Sequence, residues 1–179
     1  MMSVDLTKNF FEVFGLPQQY EVDRDALASS FRALQAQVHP DRFVNGTDEE
    51  RRIAMQSTAF LNEANDTLQN ERLRARYLLE LQGVEFSDET GTTNDQDFLM
   101  QQLEIRGLIE DAENATDPFE ELDQLRKMIK SRKLDVENNF QTSYDQGDFI
   151  VAKQAAIKLR FCERIFGEIQ AIEERLEDL

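Results

Sequence analysis

His39-Pro40-Asp41-Arg42-Phe43 stands between two amphipathic helical patterns and holds the only histidine of the chain. Ahead of it, Leu27, Phe31, Leu34 and Val38 recur at i, i+4, i+7 and i+11, a single apolar stripe whose helix is capped by Asp23. Pro40 ends that helix, because a residue before proline is pushed out of the α region. Behind it, Asn45-Gly46 is a turn pair, and Thr47 with Glu50 three residues on is a capping box. Ile53, Ser57, Phe60, Leu61, Ala64 and Leu68 then mark a longer helix that closes near Asn70. Two such helices joined by a short loop pack antiparallel. Phe10, Phe11, Val13 and Phe14, stopped by Gly15 and Pro17, supply a small helix for them to pack over. Leu73, Tyr77, Leu78 and Leu81 mark a further short helix closing at Gly83. They either pack this first part against the second or complete the first core.

Composition points the same way. In 179 residues there are three prolines, seven glycines and an excess of helix-forming side chains, so an all-α fold is expected. No run approaches the roughly 20 apolar residues needed to span a bilayer, and Met1 to Phe10 lack the basic-then-apolar order of a targeting segment. Cys162 is the only cysteine, which excludes an internal disulfide and a cysteine-based zinc site. A reducing, cytoplasmic setting is the expectation. The net charge is −16, and it is unevenly spread. Up to Gly83, 9 Lys and Arg face 13 Asp and Glu, whereas from Val84 onward 11 face 23. Nucleic acid, which needs a basic track to displace counterions, and anionic lipid are therefore excluded as partners.

Residues 84–96 are rich in Ser, Thr, Gly, Asp and Asn and lack period, which sets the expected boundaries at 1–83, a linker over 84–96, and 97–179. Three helical patterns follow: about Asp97 to Asn114, a second opened by Asp117-Pro118, and a third capped by Asp148 behind the turn Asp145-Gln146-Gly147. They read as a three-helix antiparallel bundle. The second carries the stripe Phe119, Leu122, Leu125, Ile129, Val136, Phe140 and Tyr144, and its basic run from Arg126 to Lys133 reads as a solvated face with pairs such as Asp123 to Lys127. In the first, steps of about 100° gather Phe98, Ile105, Leu108, Ile109 and Ala112 on the bundle side. Leu99, Met100 and Leu103 fall roughly opposite, beside Glu104, Gly107 and Asp111, and are expected to be exposed. Stray apolar residues are normal on surfaces, but three within two turns beside acids also suit an interaction patch. On the last helix Phe161 lies off the stripe Ala155, Leu159, Cys162 and Phe166, and the pattern leaves open whether it is core or surface. Cys162, on that stripe, is read as a small buried hydrophobe.

Two readings of the loop follow from residue types alone. His39 and Asp41 could serve as an acid–base pair, but no second histidine, nucleophile elbow, phosphate loop or metal-spaced cluster accompanies them. Alternatively Pro40 stops a helix that its neighbours cap.

In order along the chain, Phe11-Glu12-Val13-Phe14-Gly15-Leu16-Pro17, His39-Pro40-Asp41-Arg42-Phe43, Leu61-Asn62-Glu63-Ala64-Asn65-Asp66-Thr67-Leu68 and Arg74-Ala75-Arg76-Tyr77-Leu78-Leu79 resemble the HscB family, J-type co-chaperones of iron–sulfur cluster assembly. The resemblance implies an N-terminal J-domain, a helical hairpin with a short first helix, followed by the bundle. It implies that His39, Pro40 and Asp41, with Arg42 and Arg32 as cations, contact an HscA-type chaperone of the DnaK class and stimulate its ATPase. The chain would then be an activator without catalytic residues, metal or cofactor of its own. It further implies that the bundle binds an IscU-type scaffold through Leu99, Met100, Leu103, Glu104, Asp111 and Phe161. Gly107 stands where relatives commonly carry Glu, so one family contact is expected to be missing. A J-domain adaptor for another client is the alternative.

Overall fold

Each helix begins where a side chain can accept the amide hydrogens that a first turn leaves without partners. A computed structural model of the chain describes residues 4–85 and 95–178. In it Asn9 caps α1 (Phe10–Phe14) in a capping box with Glu12, and Gly15, at φ +68°, closes it in the left-handed conformation that favours glycine. Asp23 caps α2 (Arg24–Val38), which His39 terminates ahead of a 3-10 turn over Pro40–Phe43. The Thr47–Glu50 box opens α3 (Asp48–Gln69), and α4 (Glu71–Leu81) follows after Asn70. Asp95 caps α5 (Gln96–Glu113), Asp117 caps α6 (Pro118–Asp145) with Pro118 in its first turn, and Asp148 caps α7 (Phe149–Glu177). No strand occurs among the described residues. The all-α class read from composition and periodicity is the observed one.

The chain divides into two compact units, residues 1–78 and 79–179, the division falling inside α4. In the first unit α2 packs on α3, and α1 touches both. Their shared core holds Phe11, Phe14, Leu27, Val38, Leu61 and Leu68, all buried. Tyr77 belongs to this core: its ring stacks on Phe10 at 4.3 Å, and its hydroxyl accepts the Phe10 amide hydrogen at 3.0 Å. Arg74 is buried beside it, over the Tyr20 ring at 4.9 Å, and donates to the Leu68 carbonyl. The Arg74-to-Leu79 segment is thus explained by packing and by satisfaction of a helix-end carbonyl.

In the second unit α6 packs along α7 and α5 along α6. Phe98, Ile105, Ile109, Leu122, Ile129, Cys162, Ile165 and Ile169 form one buried cluster. Each large side chain in it contributes about 1.5–3 kcal/mol, which outweighs any surface pair in the unit. Of the expected linker, residues 86–94 lie outside the described residues. Two expected core positions are corrected. Leu108 is 38% exposed, because it sits at the edge of the α5 stripe centred on Ile105, Ile109 and Ala112. Phe119 is exposed as well, lying in the first turn of α6, one turn before burial begins at Leu122.

Candidate functional site

The loop tip is built by arginines that satisfy backbone carbonyls. Arg42 donates to the Ala36 carbonyl at 2.8 Å, one of those left open in the last turn of α2. Arg51, near the start of α3, donates to the carbonyls of Val44 at 3.2 Å and Gly46 at 3.1 Å and pairs with Asp48. Thr58 reaches the Val38 carbonyl at 3.4 Å. The loop is therefore stapled at its entry and its exit. His39 and Asp41 are presented outward on it, both exposed.

Within this frame the Nδ1 of His39 accepts the Asp41 amide hydrogen at 3.3 Å and lies 3.6 Å from the Asp41 carboxylate. Pro40 removes one backbone donor and sets the turn, leaving the imidazole and carboxylate side by side. Arg32 is exposed on α2, two turns before the loop and about 10 Å away along the axis. The cluster is exposed and polar, with charges of both signs. That geometry suits a macromolecular partner better than enclosure of a small substrate.

The second surface lies on α5. Leu99, Met100 and Leu103 are 45%, 66% and 64% exposed, while Phe98, Ile105 and Ile109 on the opposite side are buried. Glu104 and Asp111 are exposed beside them, and Glu104 makes a long contact with Arg132 at 3.9 Å. Three apolar side chains gathered in two turns with an acidic margin have the composition of a contact patch. The start of α5 is held down by Lys158, which binds the Asp95 carboxylate at 2.9 Å and lies over the Phe98 ring. The Lys158 hydrogen bond, followed by the Phe98 amide, holds the Asp95 carboxyl below its ordinary range.

Phe161 is not part of that surface. It is 7% exposed and meets Phe98 edge-on at 5.4 Å and 83°, inside the bundle core. The surface contact expected of it is corrected: α7 buries residues on both sides of the Ala155–Leu159–Cys162 stripe, because neighbouring helices cover more than one of its edges. Phe161 supports α5 from beneath by packing on the residue before Leu99. Replacing it with Ala should cost about 3 kcal/mol of stability through the cavity left behind. A lower midpoint in denaturant titration checks this.

Cys162 is buried next to it. Burial, ahead of all nearby charges, pushes its thiol up to about 11 from an ordinary 9.0. Thiolate is the reactive form, so near neutral pH its population falls about a hundredfold. Ellman's reagent should label the folded chain at least about 100 times more slowly than the chain unfolded in guanidinium. Among the described residues no group of three His, Cys, Asp or Glu is placed to hold a metal ion. No described helix is long and apolar enough to cross a membrane.

The sequence reading missed Leu108, Phe119 and Arg51. Angular position at the stripe edge hints at the first, whereas nothing in a pattern of apolar spacing identifies a loop-pinning arginine.

Comparison with known proteins agrees with this arrangement. Residues 94–170 match the family described as the HSCB C-terminal oligomerisation domain. The chain is 42% identical over 177 residues to the co-chaperone protein HscB homolog of Burkholderia thailandensis, covering 97% of this chain and 99% of that one. Against the homolog of Vibrio cholerae it is 36% identical over 168 residues, covering 94% and 98%. The solved structure of the chaperone HscB from Vibrio cholerae gives a TM-score of 0.85 at 35% identity, over 94% of this chain and 99% of that one. The human co-chaperone protein HscB gives 0.88 at 25% identity, over 97% and 86%. With a His-Pro-Asp tip on a helical hairpin, a three-helix bundle later in the chain, and likeness along nearly its full length, the chain belongs to the HscB family, the J-type co-chaperones of iron–sulfur cluster assembly.

Proposed function

We propose that this chain stimulates the ATPase of an HscA-type chaperone and delivers to it an IscU-type scaffold during cluster assembly and transfer. The observation that carries the reading is the pair of exposed surfaces, one on each compact unit, with different chemistry: a polar tip and an apolar strip edged by acids. The J-domain, residues 1–83, presents His39, Pro40 and Asp41 to the chaperone, with Arg32 and Arg42 as its cations. Because Arg42 also closes the end of α2, its replacement acts on loop shape as well as on charge. The bundle, residues 97–179, receives the scaffold on Leu99, Met100, Leu103, Glu104 and Asp111, with Phe161 acting from the core. ATP is bound and hydrolysed by the partner, and the chain acts as its activator. The setting is the cytoplasm, as the lone, unpaired cysteine suggests.

The test measures the ATPase rate of an HscA-type chaperone with this chain, with the scaffold, and with both. Stimulation by the chain alone, and a larger than additive rise with both, is the expected result. A rate unaffected by the chain would overturn the chaperone half. A strictly additive response would overturn the delivery half.

A further inference from the structure

Two neighbouring ridges run along the outer side of α5, since residues four apart stack nearly in line. One is Leu99, Leu103, Gly107 and Asp111, and the other is Met100, Glu104 and Leu108. The apolar strip therefore does not stop at Leu103. At Gly107 a Cβ would meet nothing within 4 Å, so no packing demand inside the chain calls for glycine there. What glycine leaves is bare helix backbone between Leu103 and Asp111, open to close approach from outside.

Both ridges lead into an open groove between α5 and α6, of about 460 Å³, lined by Leu108, Asp111, Ala112, Glu121, Leu125 and Met128. That volume, at the small end of the roughly 300–1,000 Å³ usual for ligand pockets, takes a few side chains. Its floor is apolar and includes a pliable methionine. Its rim carries Asp111 and Glu121, both exposed, and no ion pair engages either among the described residues. The nearest cations along α6 are spent elsewhere: Arg126 pairs with Glu173, and Lys127 with Asp123 at 2.7 Å. An apolar floor under two uncompensated carboxylates is complementary to a cation carried next to an apolar side chain.

We infer that this groove receives a second segment of the same scaffold that covers Leu99, Met100 and Leu103, a segment bearing a lysine or arginine beside an apolar residue. The inference rests on the scaffold-binding reading of α5 and extends it across Gly107 to Leu108, Glu121 and Met128. Leu108 and the methylenes of Met128 supply apolar contact, and Asp111 and Glu121 fix the cation. Exposed charges of this kind act strongly at low ionic strength and fade as salt screens them.

The experiment titrates an IscU-type scaffold into the full chain by calorimetry, at low and at high salt, using Leu108→Ser, Glu121→Lys, Leu103→Ala and Glu49→Lys. Glu49 is an exposed carboxylate of the first unit and controls for net charge. Leu108 is more than half buried, and Glu49 and Glu121 stand in the first turns of α3 and α6, so small decreases in thermal midpoint are expected. Binding is compared at a temperature where every variant is folded. Glu121→Lys should weaken binding about tenfold at low salt and less at high salt, and Leu108→Ser about fivefold. Glu49→Lys should bind as the parent does. If Leu103→Ala weakens binding while Leu108→Ser and Glu121→Lys leave it intact, the groove is empty in the complex and the inference falls, with scaffold binding still standing. Equal weakening by Glu49→Lys and Glu121→Lys reduces the effect to net charge and also overturns it. Parent-like binding by Leu103→Ala removes the scaffold-binding reading itself.

Discussion

His39→Gln should reduce stimulation of an HscA-type ATPase at least about tenfold, with the fold and scaffold binding unchanged. The imidazole is exposed and, among the described residues, it contacts only the Asp41 amide and carboxylate, both exposed, so its removal leaves no cavity and no stranded buried group. The expected stability change is within about 0.5 kcal/mol. What the substitution removes is a flat ring with hydrogen-bonding nitrogens, held next to a carboxylate. Glutamine has a similar reach but a flexible amide, and it cannot present a rigid ring edge in one fixed direction. The measurement is a steady-state ATPase titration, with circular dichroism as the control for folding. Stimulation at the parent level would detach the tip from the activity.

Changing Leu99, Met100 and Leu103 together to Ala should weaken scaffold binding by about a hundredfold, roughly 3 kcal/mol. Stability should rise slightly or stay level, because the three side chains are exposed and Ala is a better helix former. The expected direction is thus opposite to that for Phe161→Ala, in which stability falls first and binding falls with it. Basal stimulation of the chaperone should survive in the triple variant, while the additional rise with the scaffold should vanish. Binding at the parent affinity would show that the strip is ordinary apolar surface. Comparing the two variants by thermal midpoint and by titration separates a contact from its support.

The outcome residue by residue shows which signals in the chain were sufficient. Helix ends were legible because they depend on neighbours within four residues: Asp23, Thr47 with Glu50, Asp117 and Asp148 all cap as read. The exposure of Leu99, Met100 and Leu103 was legible because each lies well away from the centre of the buried stripe. Leu108 and Phe161 were not, since each lies near a stripe edge. There a rotation of a few tens of degrees, or one more neighbouring helix, reverses the environment. Arg42 and Arg51 close carbonyls at the ends of α2 and of the loop, a role that apolar spacing does not register.

By itself the sequence determined the all-α class, the helix order and their caps, the outward strip on α5, and the place of the His-Pro-Asp loop. All of these rest on interactions between residues close in the chain or on a simple rotational period. Tertiary structure alone decided that Phe161 is core, that Leu108 opens onto a groove with Glu121 and Met128, and that Tyr77 completes the first core. Burial depends on what neighbouring helices cover, and that is set by packing between residues far apart along the chain.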